Sequence, residues 1–216
     1  MIDLLTKYVK ARCEIAERDV GEYAVIKKSG KKFLVHSYEA VGLGRFSSVS
    51  MTAMLGLMKM ETVVFTPLTK GMPLLSFDRI NAMGNDILLL ELYDTGVGTP
   101  PDLSALDAVK ASAKDLPDHD LGTHWYDPMK LSPSLAKKSK KCSEAYRDVC
   151  DRYFAAYFAA MDGAEPCTPE AARQGVAAYV NGLFENGGPS TDQFKKMLGE
   201  KAARELFDNY IFSDKE

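Results

Sequence analysis

Between residues 22 and 93 the chain alternates strand-like segments with separators too short to hold a helix, and this limits the fold more than any other feature. The pattern predicts six strands, over 22–27, 32–38, 45–54, 58–66, 73–80 and 86–93. Their separators are turn chemistry: Ser29-Gly30, Gly42-Leu43-Gly44, Lys70-Gly71 and Gly84-Asn85. A parallel pair needs a crossover of a dozen residues or more, so these strands must form an antiparallel meander.

Helical patterns lie outside this block. Residues 1–17 place Leu4, Leu5, Tyr8, Val9, Arg12 and Ile15 at helical spacing. After the strands, 102–115 reads as a helix and 116–141 as irregular, with Pro117, Pro128 and Pro133. Three late helices are expected. An aromatic-rich one covers 143–161. Thr168-Pro169-Glu170 opens the next as cap and first-turn proline, and Gly187-Gly188 closes it. Ser190-x-x-Gln193 resembles a capping box before the last. Strands first and helices later mark an α+β domain. The 86–93 strand is apolar on both faces apart from Glu91, so helices should cover both sides of the sheet. The expectation is a three-layer α/β/α sandwich with a central antiparallel sheet, one domain over 1–216, with the N-terminal helix on one face and the late helices on the other.

With 216 residues, 46% hydrophobic and 26% charged, the chain can bury a full core. A net charge of −3 and the absence of a recognisable motif argue against nucleic-acid binding. No apolar run approaches the ~20 residues that cross a bilayer, and the N-terminus has no signal-peptide pattern, so a cytoplasmic protein is expected. Cys13, Cys142, Cys150 and Cys167, with His36, His119 and His124, show no metal-ligand spacing; reduced thiols and no metal are expected. Gly96-Val97-Gly98 precedes a predicted helix but lacks the rest of a phosphate-loop fingerprint, and reads as a plain connection. Trp125 reads as a packing anchor.

The segment Lys70–Asp78 ends an apolar run in a carboxylate. Alternation puts Leu74, Ser76 and Asp78 on one strand face and Leu75 and Phe77 on the other. A carboxylate facing a core is costly unless neutralised or bonded, and such groups often become proton donors. The plainer alternative is a surface Asp78 beside Arg79.

Val63–Pro67 followed by Gly71–Asp78, Trp125 before Leu131–Pro133, and Lys196–Glu200 through Tyr210–Phe212, taken in that order, resemble the ferredoxin-dependent bilin reductases and their relative, red chlorophyll catabolite reductase. Val63-Val64-Phe65-Thr66-Pro67 followed by Gly71-Met72-Pro73-Leu74-Leu75-Ser76-Phe77-Asp78 is similar to the family's proline-bearing loop and Gly-Leu-Pro…Asp strand. Trp125 before Leu131-Ser132-Pro133 is similar to its tryptophan before Phe-Ser-Pro. Lys196-Met197-Leu198-Gly199-Glu200 through Tyr210-Ile211-Phe212 is similar to its Phe-Gly-Glu helix and closing Leu-Phe pair. The resemblance implies a three-layer sandwich that reduces a linear tetrapyrrole, such as biliverdin, with electrons from ferredoxin or flavodoxin. It implies no cofactor bound in the protein. Asp78 falls on the family's central proton-donating aspartate, and Glu61 on its neighbouring histidine or asparagine. The family's late aspartate falls on Gly188, with Asn186 and Asp192 as the nearest polar residues. The glutamate of one branch falls near Ser48–Ser50.

A tetrapyrrole is its own redox centre, so side chains need supply only binding and protons. Ser48, Ser50 and Thr52 would share a strand face with room for a planar ligand, unless that is an ordinary half-buried face. Arg45 and Lys59 are candidates for the propionates, and Ser76 and Asn186 complete the candidate binding set. Lys137, Lys138, Lys140 and Lys141 would steer an acidic electron donor, unless the run is a solvated turn. Lys27, Lys28, Lys31 and Lys32 form a second basic patch. A monomer is expected. Two readings remain: a bilin-reducing enzyme, or a non-catalytic tetrapyrrole-binding protein on the same fold.

Overall fold

The computed structural model describes residues 1–99, 101–140 and 142–215. Its centre is one antiparallel sheet of β1 (Ile15–Arg18), β2 (Val25–Lys28), β3 (Lys31–Ala40), β4 (Gly44–Ala53), β5 (Met58–Pro67), β6 (Leu74–Ala82), β7 (Asn85–Tyr93) and β8 (Leu135–Ser139). The strands run β1-β3-β4-β5-β6-β7-β8, with β2 beside β3. The meander expected from the short separators forms in sequence order. Among the described residues the α-helices are α1 (Ile2–Lys10), α2 (Ser104–Ser112), α3 (Ser143–Gly163), α4 (Pro169–Asn186), α5 (Pro189–Leu198) and α6 (Glu200–Leu206), the last running into a π-helical turn, Phe207–Ile211. The α/β/α sandwich of the sequence reading is the observed fold.

Two short edge strands lie where none was expected. The first helix stops at Lys10, not at 17, and Ile15–Arg18 pairs with β3 through Ile15↔Ala40 to Arg18↔Ser37. In the stretch read as irregular, Leu135–Ser139 pairs with β7. Each is four or five residues long, too short to establish a period. The capping box at Ser190 is not formed, because Pro189 takes the first helical position after Gly188. At α4 the expected cap is present: the Thr168 hydroxyl accepts the Ala171 amide at 3.3 Å.

The layers also differ from expectation in one respect. α3, counted among the late helices, packs with α1 and α2 on the opposite face from α4–α6. Its Tyr146, Tyr153, Phe154, Tyr157 and Phe158 meet Phe65, Leu75, Phe77, Leu88 and Leu90 from the sheet. Phe77 packs edge-on to Phe154 with ring centres 5.9 Å apart, and Tyr157 donates to the Pro73 carbonyl at 2.8 Å. The other face carries Val49, Met51, Val64, Leu74 and Tyr93 against Val176, Tyr179, Phe194, Leu206 and Phe207. Among the described residues no helix is long and apolar enough to cross a membrane, and no cluster of three or more His, Cys, Asp or Glu could hold a metal ion.

Candidate functional site

A cavity of about 340 Å³ opens between the sheet and α4–α6, a size within the range of about 300–1,000 Å³ usual for small-molecule sites. Its floor is the alternate residues of three neighbouring strands: Met60, Thr62 and Val64 of β5, Ser76, Asp78 and Ile80 of β6, and Leu89, Glu91 and Tyr93 of β7. Leu183, Gly188, Thr191 and Phe194 form the helical wall; Phe207, Ile211 and Phe212 close one side, and His124 and Tyr126 another. Most of this lining is hydrocarbon and aromatic, so the few polar groups act in a medium that does little to screen them.

Asp78 is half-buried, its open surface facing the cavity. Burial pushes its carboxyl up to about 6; a hydrogen bond from the Thr62 hydroxyl pulls it down, and the charge of Glu91 pushes it up again. Thr62 stands directly opposite Asp78 in the β5–β6 ladder. Glu91 sits diagonally across β7, where Ser76 faces Glu91 and Asp78 faces Leu89.

Glu91 is buried and well held. One oxygen pairs with Lys130 Nζ at 2.7 Å, and the other accepts the Tyr93 hydroxyl at 2.8 Å. Lys130 also reaches Asp127 at 3.2 Å and lies over the Tyr126 ring. Burial pulls the Lys130 pKa down, but its bonds to Glu91 and Asp127 outweigh that and hold it above the ordinary lysine value. Desolvation raises Tyr93 and Tyr179 and pushes Tyr126 to about 12, so all three are neutral phenols at neutral pH. His124 stacks on Tyr126 at 4.9 Å, and its Nδ1 is buried with no hydrogen-bond partner. The floor thus holds a protonatable acid beside a fixed ion pair.

Trp125 anchors the wall behind these groups. Its Nε1 donates to the Gly187 carbonyl at 2.8 Å, and its ring lies where a side chain at position 182 would be; only glycine fits there.

Of the binding and catalytic residues named from sequence, Ser76 and Asp78 line the cavity. Glu61 does not. The β5–β6 register pairs Glu61 with Arg79, which puts it on the α1–α3 face, where it accepts from the Met1 ammonium and the Ile2 amide. Ser48, Ser50 and Lys59 share that opposite face, because Val49 and Met60 are the neighbours that reach the cavity. Arg45 is drawn to the far end of β4 by Glu39 at 3.3 Å and the Lys215 carbonyl at 2.8 Å. Asn186, the exposed last residue of α4, is not part of the lining, and neither is exposed Asp192. Arg79 is no surface neighbour of Asp78 either; it points to Asp86 and Ser143.

The lysine run also divides. Lys137 is buried, held by Asp118 at 2.6 Å and the Leu116 carbonyl at 2.9 Å, so it presents no free charge to a partner. Lys138 and Lys140 are exposed, and Lys141 lies outside the described residues. Thr62, Glu91, Tyr93, His124, Tyr126 and Tyr179 were not anticipated as site residues. Glu91 carried a signal, being the one acid inside the apolar stretch of its strand. The others carried none that distinguishes them from core.

No protein-family model and no curated protein matches this sequence. Among solved structures, the chain matches phytochromobilin synthase from tomato in complex with biliverdin, with a TM-score of 0.78 over 99% of this chain and 82% of that one, at 14% identity. The resemblance read from short strings is therefore matched by the fold of the whole chain.

Proposed function

We propose that the cavity binds a linear tetrapyrrole of the biliverdin type, and that the protein reduces it with single electrons from an external ferredoxin or flavodoxin. The observation that carries this reading is Asp78, a carboxyl raised to about 6 on the floor of an apolar cavity. The match in fold to a biliverdin-bound enzyme supports the ligand class.

Reducing one carbon–carbon double bond of the pigment takes two electrons and two protons. The electrons come one at a time from the partner. Asp78, whose carboxyl holds its proton up to about pH 6, delivers it to the singly reduced pigment, leaving a carboxylate that the Thr62 hydroxyl stabilises. Solvent at the mouth supplies the second proton and restores the acid. Burial does most to keep the proton on Asp78, and the charge of Glu91, itself paired to Lys130, adds to it. Glu91, and not Glu61, is the second carboxylate of the cavity. Exposed Lys138 and Lys140 remain available to an acidic donor.

The non-catalytic reading has one observation in its favour. Gly188, Pro189, Ser190 and Thr191 form the wall where the resembled family places an aspartate, so that side offers no carboxylate. An anaerobic assay separates the two readings. Biliverdin should bind with a shifted visible spectrum, and reduced ferredoxin should then convert it to a product resolved by chromatography. Asp78→Asn should still bind and accept one electron, then stall as a radical seen by electron spin resonance. Binding without any reduction by ferredoxin or flavodoxin would establish the passive binder instead.

A further inference from the structure

Three turns meet at one end of the sheet: β2–β3 at Ser29-Gly30, β4–β5 at residues 54–57, and β6–β7 at Met83-Gly84. The Met83 amide reaches the Leu57 carbonyl at 3.4 Å, and a shallow cleft joins the lysine hairpin to Leu55 and Gly56. Large apolar side chains stand in solvent here. Leu55 is 107% exposed, Met83 78%, Leu57 67% and Met54 54%, the four most exposed large hydrophobics among the described residues.

The backbone makes this more unusual. Met54, Leu55 and Met83 all have positive φ, at 52°, 55° and 52°. Left-handed turn positions favour glycine or asparagine, and an unbranched or γ-branched apolar residue there gains no packing in return. Folding alone does not account for these residues.

The charged residues of the tips themselves are basic. Lys27, Lys28, Lys31, Lys32 and Lys59 surround the tips, and no acid occurs in residues 23–38, 40–60 or 79–85. Lys28 and Lys31 bond to neutral partners, the Met197 carbonyl and Gln193. The chain as a whole is acidic at −3.

We infer that this end of the sheet docks on the surface of an anionic lipid bilayer. Convex tips carrying leucine and methionine can enter the headgroup region at any depth, whereas a protein partner would need a separate recess for each. Lysine is depleted at protein interfaces but is the usual partner of anionic headgroups. The attachment is peripheral and reversible.

Vesicle sedimentation tests this with two compositions, phosphatidylcholine alone and an equimolar mixture with phosphatidylserine. The protein should pellet with the mixed vesicles only, and rising salt should release it. Replacing Lys27 and Lys32 by Gln should weaken binding by roughly fivefold per lysine. Leu55→Asn with Met83→Asn should weaken it at least tenfold while leaving the melting temperature unchanged or higher, because asparagine suits those backbones. Absence of binding to the anionic vesicles overturns the inference, as does binding that the variants leave untouched. Capture of an acidic iron–sulfur protein by this surface, with no vesicle binding, would make it a protein interface and overturn it equally.

Discussion

The two faces of the sheet are built from the same strands yet do opposite things. On the α1–α3 face, Phe65, Leu75 and Phe77 are packed to closure by the aromatic residues of α3, and the buried tyrosine hydroxyls find backbone carbonyls. On the α4–α6 face, the intervening residues Thr62, Ser76 and Asp78 look into open space. One face spends its side chains on stability and the other keeps a cavity with a displaced pKa. Neighbouring residues on β6 serve each side, so substitutions one position apart should have different kinds of effect.

The largest expected effect is on the sealed face. Phe77→Ala removes a fully buried ring and should cost about 3–5 kcal/mol in chemical denaturation. A loss below about 1 kcal/mol would mean that this face is not closely packed. One residue on, Asp78→Asn should act with the opposite sign. The folded carboxyl at about 6 holds its proton above the ordinary 3.8, so wild-type stability falls as pH rises from about 4 to 6 and stays low above that. The Asn variant escapes this loss and should be more stable by about 2–3 kcal/mol at pH 8, with no advantage at pH 3. If the two proteins show identical stability–pH profiles, Asp78 is not held in its neutral form.

The same titration bears on activity. If Asp78 must be protonated to act, turnover should fall as pH rises through about 6, measured under conditions where the electron donor is not limiting. Gly182→Ala tests the wall. Its new methyl group collides with the Trp125 indole, which its bond to Gly187 holds in place, so a loss of about 1–3 kcal/mol is expected together with weaker pigment binding. The smallest effect belongs to Glu61→Gln. Its pairing with the Met1 ammonium is partly exposed and should contribute about 1 kcal/mol or less, and pigment reduction should be unchanged. A large fall in turnover would reopen the choice between Glu61 and Glu91.

The misplacement of Glu61 shows where sequence reading stops. Alternation within β6 sorts Leu74, Ser76 and Asp78 from Leu75 and Phe77 without reference to any other strand. The face of Glu61 depends on how β5 pairs with β6 across the Leu68–Pro73 connection. A change of one residue in that pairing would exchange its two faces. Ser48, Ser50 and Lys59 were misplaced for the same reason, since their faces follow from register. Lys137 looked like one charge in a run, but its place on β8 carries it inward to Asp118.

What the sequence determined by itself were properties with a local cause. Short turn-forming separators compel antiparallel pairing, a period of two sorts each strand's own faces, and Thr168-Pro169 starts a helix wherever that helix packs. Only the tertiary structure decided which face α3 would cover, that β1 and β8 would extend the sheet, and that Glu91 would stand diagonally from Asp78. Those outcomes rest on contacts between residues far apart in the chain. Their energies come from burial and register, which no local window of sequence contains.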